Sequence, residues 1–482
     1  MHVGHLSSTV IGDTVARILE RLGYQVIRQN HVGDWGLPIA MVIAAFLDQH
    51  GAADPASYLH TLDQLDAAYK AAQARCKVNE DLANALAHAR SPKLEAEWGD
   101  ELERARAAAH HLAGAKRTLV ALQAKEPAPY RVWQRIYAVT MTECLRVCAA
   151  LNADVRDEHS AGESTYADEL AGAVEDVLRR GVAEVSEGAV VIRVPGIAEP
   201  CLIRKSDGGY LYATTDLCAI RRRVQRLGAA RVIYCVDARQ GLHFQQVFES
   251  AKRAGYAQTP ATGALLEHAA FGTILGEDGR PFKTRSGENV RLTALLDEAH
   301  DRALAAALAR TPDLPEADRA AVDRAVAVAA IRYTDLSTER IKDYVFSFDR
   351  MLAFEGNTGP YLLYALVRIR SIFRKAAERG IDAHAEARAP LAIHHPAERA
   401  LALTLLRYPQ VLRDAGAAAE PHRLCAFAYE LAGAFASFFD QCPVLAADSP
   451  SARAARLALC RVTERVLSDA LRVLGIPLVE RM

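Results

Sequence analysis

The sequence predicts an α/β protein in which a Rossmann-like parallel-sheet domain with a helical insertion is followed by an all-α bundle. Three observations indicate this fold. Apolar runs at 182–204 and 231–236 are typical of short strands, and glycine-rich turns and helical patterns follow them. Residues 36–160 carry long helical stripes through which a parallel sheet cannot continue. From about residue 291 onward the apolar spacing is helical throughout.

The composition indicates an ordinary globular protein. With 482 residues and 51% hydrophobic content, the chain can bury a large core and is expected to divide into about three domains. Its 58 Lys and Arg nearly balance its 59 Asp and Glu, so a nucleic acid would have to bind local basic patches. Nine scattered cysteines without a CxxC pair favour reduced thiols in the cytosol over a zinc site. We find no apolar run long enough for a membrane span.

The first six residues predict a turn suited to an anion. His2 and His5 flank Gly4, where the backbone can approach a ligand closely. The amphipathic helix behind them offers free N–H groups and a positive dipole end, and Ser7, Ser8 and Thr9 could cap it. For two histidines alone, a frayed terminus is the competing interpretation. Such a turn normally follows a strand, which we expect upstream of this sequence.

A short buried strand is predicted next, at 24–29, and leads into a polar, glycine-rich loop at 30–36. A pocket wall and an ordinary strand-to-helix connection explain this loop equally well. Helices are predicted behind it at 41–47, 67–89, 94–122 and 132–151. We interpret this block as an insertion at about 50–160 that separates two halves of the sheet domain.

Two strand-to-helix junctions carry candidate ligand groups. Tyr212 and Asp216 are spaced i, i+4, so a helix would place phenol and carboxylate on one face, where they could bind a guanidinium or ammonium group. A core tyrosine beside a solvated aspartate is the alternative. The second junction, after a strand at 231–236, places Gln240 and His243 where a doubly wound sheet binds ligands.

The glycine-flanked stretch at 271–287 is the last candidate. A Glu-Asp-Gly turn at 277–279 predicts a hairpin tip, and Lys283 and Arg285 follow it among hydroxyl side chains. This composition fits a mobile clamp for a polyphosphate, and it is equally typical of an exposed basic loop. Beyond it, helices are predicted at 292–310, 317–333, 357–378, 397–412, 424–439 and 451–474.

In their order along the chain, four motifs resemble those of the class I arginyl-tRNA synthetases. They are His2-Val3-Gly4-His5, Gly33-Asp34-Trp35-Gly36, Tyr212-Ala213-Thr214-Thr215-Asp216 and Phe282-Lys283-Thr284-Arg285-Ser286-Gly287. The tetrapeptide Asp469-Ala470-Leu471-Arg472 looks like the one that names this family's anticodon-binding domain. Each motif alone is weak or moderate, but their order and spacing make chance a poor explanation.

The resemblance implies a role for each candidate residue. His2 and His5 match the HIGH signature, and the loop at Lys283 looks like a variant of the KMSKS loop. Because the register of that loop is open, Lys283 and Arg285 are both candidates for the catalytic cation. The ATP-binding positions implied are His2, Val3, Gly4, His5 and Lys283. The arginine-binding positions implied are His31, Tyr212, Asp216 and Gln240.

The resemblance also implies the reaction and its partners. L-arginine would be joined to tRNA(Arg) through an arginyl-adenylate formed from ATP, with release of AMP and pyrophosphate. Mg²⁺ is expected with the ATP, and we expect no resident metal. The implied segments are a catalytic domain at 1–290, a helical linker at 291–355 and a DALR-type anticodon-binding bundle at 356–482. We expect a cytoplasmic monomer that does not bind membranes.

The start of the chain leaves one alternative open. The family's first strand and an N-terminal domain that contacts the tRNA would lie before Met1. A catalytically impaired fragment that only binds tRNA is therefore the alternative function, and arginine-dependent charging of tRNA would separate the two.

Overall fold

The computed structural model describes residues 1–51, 53–77, 99–259, 262–282, 290–310, 316–388 and 392–482. The chain begins with a 3₁₀ turn, Val3–His5, followed by helix α1, Leu6–Arg21. The predicted strand at 24–29 is wrong: only Asn30 forms a parallel bridge, with Ser160, and Ile27 is 50% exposed. Ion pairs from Arg28 to Asp13 and Glu20 hold this segment instead of sheet pairing.

The helical insertion has its own core. It consists of α2 (Leu37–His50), α3 (Leu62–Cys76), α4 (Gly99–Gln123) and α5 (Pro127–Ala150). Trp35, Ile43, Phe46 and Leu122 are among the apolar side chains buried between these helices. The helices predicted at 41–47 and 132–151 are confirmed within α2 and α5. Parts of those predicted at 67–89 and 94–122 lie outside the described residues.

An antiparallel meander follows helix α6 (Leu170–Arg179). Its strands are β1 (Glu184–Ser186), β2 (Ala189–Ile192) and β3 (Cys201–Arg204), paired in that order. Glu187 and Gly188 both have positive φ, which is typical of a tight two-residue hairpin turn. These strands confirm the ones predicted from the apolar runs.

The parallel unit lies directly beyond the meander. Helix α7 (Tyr212–Arg221) continues into one π turn (Arg222–Arg226), followed by β4 (Arg231–Tyr234), α8 (Gly241–Arg253) and β5 (Leu265–His268). β4 and β5 pair in parallel from Arg231↔Leu265 to Tyr234↔His268, and α8 makes the crossover. One apolar core contains side chains from the helices α6, α7 and α8, from the meander, and from β4 and β5.

The C-terminal half is helical apart from one short parallel pair, β6 (Ile274–Leu275) with β7 (Tyr344–Val345). Its helices are α9 (Leu292–Arg310), α10 (Glu316–Ser337), α11 (Phe348–Met351), α12 (Gly359–Glu378), α13 (Ala383–Glu386), α14 (Pro396–Leu406), α15 (Tyr408–Ala418), α16 (His422–Gln441) and α17 (Pro450–Val473). The helix predicted at 397–412 is divided at Arg407, because Pro409 lacks an N–H and cannot sit inside a helix. The other predicted helices of this half are confirmed.

Helix α1 is buried in the core of this C-terminal half. Val10, Ile11, Val15 and Ile18 share one apolar cluster with α9, α10 and the helices from α12 onward. α1 packs against α10, α15 and α17. The helix therefore connects the histidine turn at its start with the helical bundle at its end.

Candidate active site

The opening turn holds its two histidines in a defined geometry. The ring centroids of His2 and His5 lie 4.0 Å apart. Nδ1 of His2 accepts a hydrogen bond from the N–H of Gly4 at 3.0 Å, and Nδ1 of His5 accepts one from the N–H of His2 at 3.1 Å. Since each Nδ1 is an acceptor, each neutral ring carries its proton on Nε2. Both imidazoles therefore present an Nε2–H donor at their opposite edge.

The surroundings keep both rings neutral at physiological pH. Desolvation lowers the pKa of His5 to about 4, with a further contribution from His2, and desolvation also lowers the pKa of His2. Gly4 is required beneath the rings because a Cβ there would lie 2.7 Å from Cε1 of His2. Although neighbouring atoms desolvate its ring, His5 keeps part of its surface exposed to solvent. The turn is thus suited to donating hydrogen bonds to an anion.

Two backbone N–H groups of the turn already donate hydrogen bonds within the protein. The N–H of Val3 donates to the carbonyl of Val290 at 3.0 Å, and that of Gly4 is used by His2. Val3 and Gly4 can therefore shape a phosphate site by close approach, but these two N–H groups already have acceptors.

The structure does not confirm the predicted capping of α1 by the hydroxyl groups of residues 7–9. Because α1 begins at Leu6, Ser7, Ser8 and Thr9 lie inside its first turn. Ser8 and Thr9 donate to the carbonyl of His5, at 3.3 and 2.8 Å. His5, the N-cap residue of α1, makes no side-chain capping bond, and the N–H of Leu6 already donates to the carbonyl of Val3.

The chain at 290–291 lies beside the histidine turn. Val290 pairs with Val3, and Arg291 forms an antiparallel bridge with His2. Two predicted site residues, Lys283 and Arg285, lie outside the described residues.

The hairpin that ends at Phe282 packs on strand β6. The predicted hairpin tip is confirmed by the N–H of Gly276, which donates to the carbonyl of Arg280 at 2.7 Å. The N–H of Phe282 donates to the carbonyl of Ile274 in β6 at 3.0 Å, and its ring lies 5.1 Å from that of Phe346. Phe282 is therefore held at the β6–β7 pair.

A second cluster surrounds Asp216 in α7. Asp216 is 6% exposed, and its Oδ2 lies 2.7 Å from Nε2 of His243 in the first turn of α8. Its Oδ1 lies 3.8 Å from Nε2 of His31. The ring of Tyr212 lies 4.7 Å from that of His243, and Tyr212 is 59% exposed. The phenol and the carboxylate therefore converge on His243, with the phenol at the surface.

A buried arginine orients His31. Arg223 donates from Nε to Oε1 of Gln29 at 2.5 Å and lies over the ring of Tyr234 at 5.0 Å. Its Nη2 lies 3.3 Å from Nδ1 of His31. Because a guanidinium only donates, Nδ1 of His31 is the acceptor and its Nε2 carries the proton toward Asp216. Desolvation lowers the pKa of His31.

A second carboxyl, that of Glu163, lies beside the polar loop at 30–36, and sequence reasoning missed it. Asp34 accepts hydrogen bonds from the N–H of Ser164 at 3.0 Å and from its hydroxyl at 2.6 Å. The N–H of Trp35 lies 3.4 Å from Oε2 of Glu163. Burial raises the pKa of Glu163 to about 7, and the neighbouring carboxylates of Asp34 and Asp216 add to this shift. The signal available was a Gly-Glu-Ser triplet at 162–164, which has no distinctive spacing.

Gln240 stands apart from this cluster. It ends the 3₁₀ turn Ala238–Gln240 before α8 and is exposed. Among the described residues it makes no hydrogen bond to Asp216. In the part of the chain that the structure describes, no group of three or more His, Cys, Asp and Glu side chains could hold a metal ion. No described helix is long and apolar enough to cross a membrane.

Two family models match the chain. One describes the catalytic domain of class I tRNA synthetases for arginine and matches residues 1–348. The other describes the DALR anticodon-binding domain and matches residues 362–482.

Relatives match over the full chain. An arginine–tRNA ligase of Azotobacter vinelandii is 43% identical over 488 residues, covering 100% of this chain and 77% of that protein. The arginyl-tRNA synthetase structure from Plasmodium falciparum is similar with a TM-score of 0.79 and 27% identity, covering 100% of this chain and 74% of that one. The Thermus thermophilus arginyl-tRNA synthetase is similar with a TM-score of 0.74 and 26% identity, covering 100% and 80%.

Proposed function

The chain belongs to the class I arginyl-tRNA synthetases, and on that premise we propose how its residues divide the reaction. The reaction is the ATP-dependent ligation of L-arginine to tRNA(Arg) through an arginyl-adenylate, with release of AMP and pyrophosphate. The observation that carries our assignment of residues is the buried Asp216, whose carboxylate can pair with a guanidinium by charge-assisted hydrogen bonds.

Arginine binds at the Asp216 cluster in this proposal. Asp216 takes the guanidinium, and Tyr212 and His31 border the same pocket. Glu163 adds a second carboxylate, which loses its proton when the cation enters. Gln240 contributes from the start of α8, where it is free to turn toward the amino acid.

ATP binds at the histidine turn. The Nε2–H groups of His2 and His5 donate to phosphate oxygens, and Val3 and Gly4 allow the backbone to approach. Lys283 or Arg285 supplies the cation, and support comes from Arg291, six residues after Arg285, which bridges to His2. Mg²⁺ enters with ATP as part of the substrate, held mainly by the triphosphate.

Catalysis in this proposal is positioning and charge stabilisation. A carboxylate oxygen of arginine attacks the α-phosphorus, and the bond to the bridging oxygen breaks as pyrophosphate leaves. No side chain acts as a nucleophile. Each donor aimed at the developing charge is expected to contribute a factor of about 10²–10³. A terminal ribose hydroxyl of the tRNA then attacks the arginyl carbonyl and releases AMP.

The test is arginine-dependent charging of tRNA together with pyrophosphate exchange. We expect His5→Ala to slow adenylate formation by a factor of about 10² while arginine binding stays nearly unchanged. His110→Ala, an exposed histidine of α4, is the matched control and should behave as the wild type. Equal losses in arginine binding and adenylate formation would contradict the assigned role of His5. Retained tRNA binding without any arginine-dependent turnover would instead support a tRNA-binding fragment.

The helical bundle from α12 to α17 is proposed to bind the anticodon arm, in line with the DALR match. We further propose a cytoplasmic monomer. The nine cysteines are free thiols, which suits a reducing compartment. Light scattering should give the 52.4 kDa of one chain, and a mass of two chains would contradict the monomer. Cell fractionation with an antibody to the chain tests the compartment.

A further inference from the structure

One buried carboxylate joins the helix behind the histidine turn to strand β7. Asp335 of α10 is 4% exposed. Its Oδ1 accepts a hydrogen bond from Oγ of Ser7 at 2.6 Å and another from the hydroxyl of Tyr344 at 3.0 Å. Ser7 lies in the first turn of α1, two residues after His5, and Tyr344 begins β7.

The two donors belong to separate elements. Ser7 fixes the start of α1 and thereby the histidine turn. Tyr344 pairs with Ile274 of β6, whose carbonyl accepts a hydrogen bond from the N–H of Phe282. One oxygen of Asp335 therefore attaches the histidine turn and the β6–β7 pair to the same helix.

Stability does not account for this charge. Oδ2 of Asp335 is buried without a hydrogen-bond partner among the described residues. Burial raises the pKa of Asp335 to about 6, although Ser7, Tyr344 and Arg332 oppose the shift. Because this folded value lies above the ordinary 3.8, the stabilising contribution is present at low pH and is lost as the pH rises through about 6. A buried group that destabilises the fold at neutral pH is typical of a functional position.

We propose that Asp335 is a positioning residue for adenylate formation, which sets the histidine turn against the β6–β7 pair so that the imidazoles reach the ATP phosphates. The inference rests on the proposed ATP site. Asp335 acts through Ser7 and Tyr344 and does not itself touch the substrates. The charged and titratable groups that face it are Arg332 on its own helix, Tyr344 of β7 and Cys425 of α16.

Asp335→Asn in the full chain is the first test, measured by arginine-dependent pyrophosphate exchange with tRNA present. We expect kcat to fall by a factor of about 10–100, because a misplaced phosphate site slows attack, while KM for arginine changes by less than about twofold. The thermal unfolding temperature at neutral pH should be equal or higher, since a buried charge is removed. An unchanged kcat would overturn the proposal. So would a fall in kcat that a matching loss of folded protein explains.

A matched pair of tyrosine variants separates positioning from stability. The hydroxyl oxygen of Tyr333, also in α10, lies 2.6 Å from Oδ1 of Asn357 and 3.0 Å from the carbonyl oxygen of Cys425. Tyr344→Phe should lower kcat by a factor of about 3–10. Tyr333→Phe removes a hydroxyl of a buried tyrosine that does not contact Asp335 and should lower only the unfolding temperature. Equal effects of the two variants on kcat would overturn the role of Asp335.

The His5→Ala variant keeps the two proposals distinguishable. If His5→Ala exchanges pyrophosphate at the wild-type rate, the proposed ATP site is wrong. If His5→Ala is slow and Asp335→Asn is as fast as the wild type, only the positioning role of Asp335 is wrong.

Discussion

Two carboxyl groups of the proposed arginine pocket differ in what surrounds them. Asp216 lies between two imidazoles, His243 and His31. Glu163 receives a single backbone N–H from Trp35 and lies near other carboxylates, so its pKa is raised to about 7 by burial and by those charges. At neutral pH about half of the arginine-free protein therefore carries a proton on Glu163. An entering guanidinium has to displace that proton.

A pH dependence of arginine use follows for the wild type. We expect kcat/KM for arginine to fall up to about tenfold per pH unit below pH 7, because protonated Glu163 cannot pair with the cation. Stability changes in the opposite sense: a pKa raised above the ordinary 4.5 stabilises the free protein at low pH, and this contribution is lost as the pH rises through about 7. Exchange rates measured at low arginine between about pH 6 and 8 test this. Glu163→Gln should lack the acidic limb, and an identical limb in that variant would contradict the assignment.

Asp216→Asn gives a separate test of the pocket. An amide keeps the shape but loses the charge, so we expect KM for arginine to rise by a factor of about 10–100. Adenylate formation at saturating arginine should change much less. Glu184→Gln, at an exposed ion pair with Arg193, is the control. An unchanged arginine KM would remove Asp216 from the pocket.

The residues predicted from sequence were those with local patterns. His2 and His5 are three residues apart, and Tyr212 and Asp216 are one helical turn apart, so spacing alone placed each pair. Glu163 and Asp335 meet their partners across 128 and 328 residues. Neither contact leaves a periodicity in the sequence, because it arises only when separate elements pack. The roles of all these site residues stay predictions.

At the scale of elements, helices were predictable and the first strand was not. The long apolar stripes of α5, α16 and α17 identify the face of each helix that packs into the core. The apolar pair at 26–27 suggested a strand, but nothing covers Ile27, and Arg28 instead makes ion pairs to Asp13 and Glu20. Two apolar residues are too few to specify sheet pairing.

The close packing of α12 against α10 allows a quantitative prediction about stability. A Cβ on Gly359 would lie 2.5 Å from the carbonyl carbon of Ala329. Gly359→Ala should therefore lower the free energy of unfolding by about 2–4 kcal/mol, because two backbones must separate. Gly433 of α16 has open space around it, so Gly433→Ala should raise it by about 0.5–1 kcal/mol. Denaturant titrations measure both, and equal changes would refute the packing argument.

At the scale of the whole molecule, a buried ion pair joins distant parts of the chain. Nη2 of Arg332 lies 2.7 Å from Oδ2 of Asp13, and both side chains are fully buried. Arg332 also donates to the carbonyls of Leu151 at 3.0 Å and Leu474 at 2.8 Å. The start of the chain, the end of the insertion, α10 and the C-terminal segment thus meet at one guanidinium. The proposed boundaries at 290 and 355 stay predictions, and this core crosses them.

Replacing Asp13, the anion of this pair, should strongly destabilise the protein. Asp13→Asn leaves the guanidinium of Arg332 without its counter-charge, so we expect a loss of about 3–5 kcal/mol in the free energy of unfolding. Burial opposes ionisation of Asp13, yet Arg332 and Arg17 lower its pKa, so the stabilisation is present at neutral pH and is lost as the pH falls through that lowered value. Glu184→Gln should cost less than about 1 kcal/mol. Denaturant titration at neutral pH checks both, and similar losses would contradict the central place of this pair.

The contact between Arg332 and Leu474 also bears on how the protein is made. The guanidinium leaves the ribosome 142 residues before its carbonyl acceptor does. At about 5–20 residues per second, Arg332 lacks that acceptor for roughly 7–30 s. Gly475 then packs against the guanidinium of Arg332, where a Cβ on residue 475 would lie 2.6 Å from Nε. The histidine turn is synthesised long before Leu474, yet the helix behind it depends on this later segment, so a nascent chain stalled before residue 474 carries an ATP site whose support is unfinished.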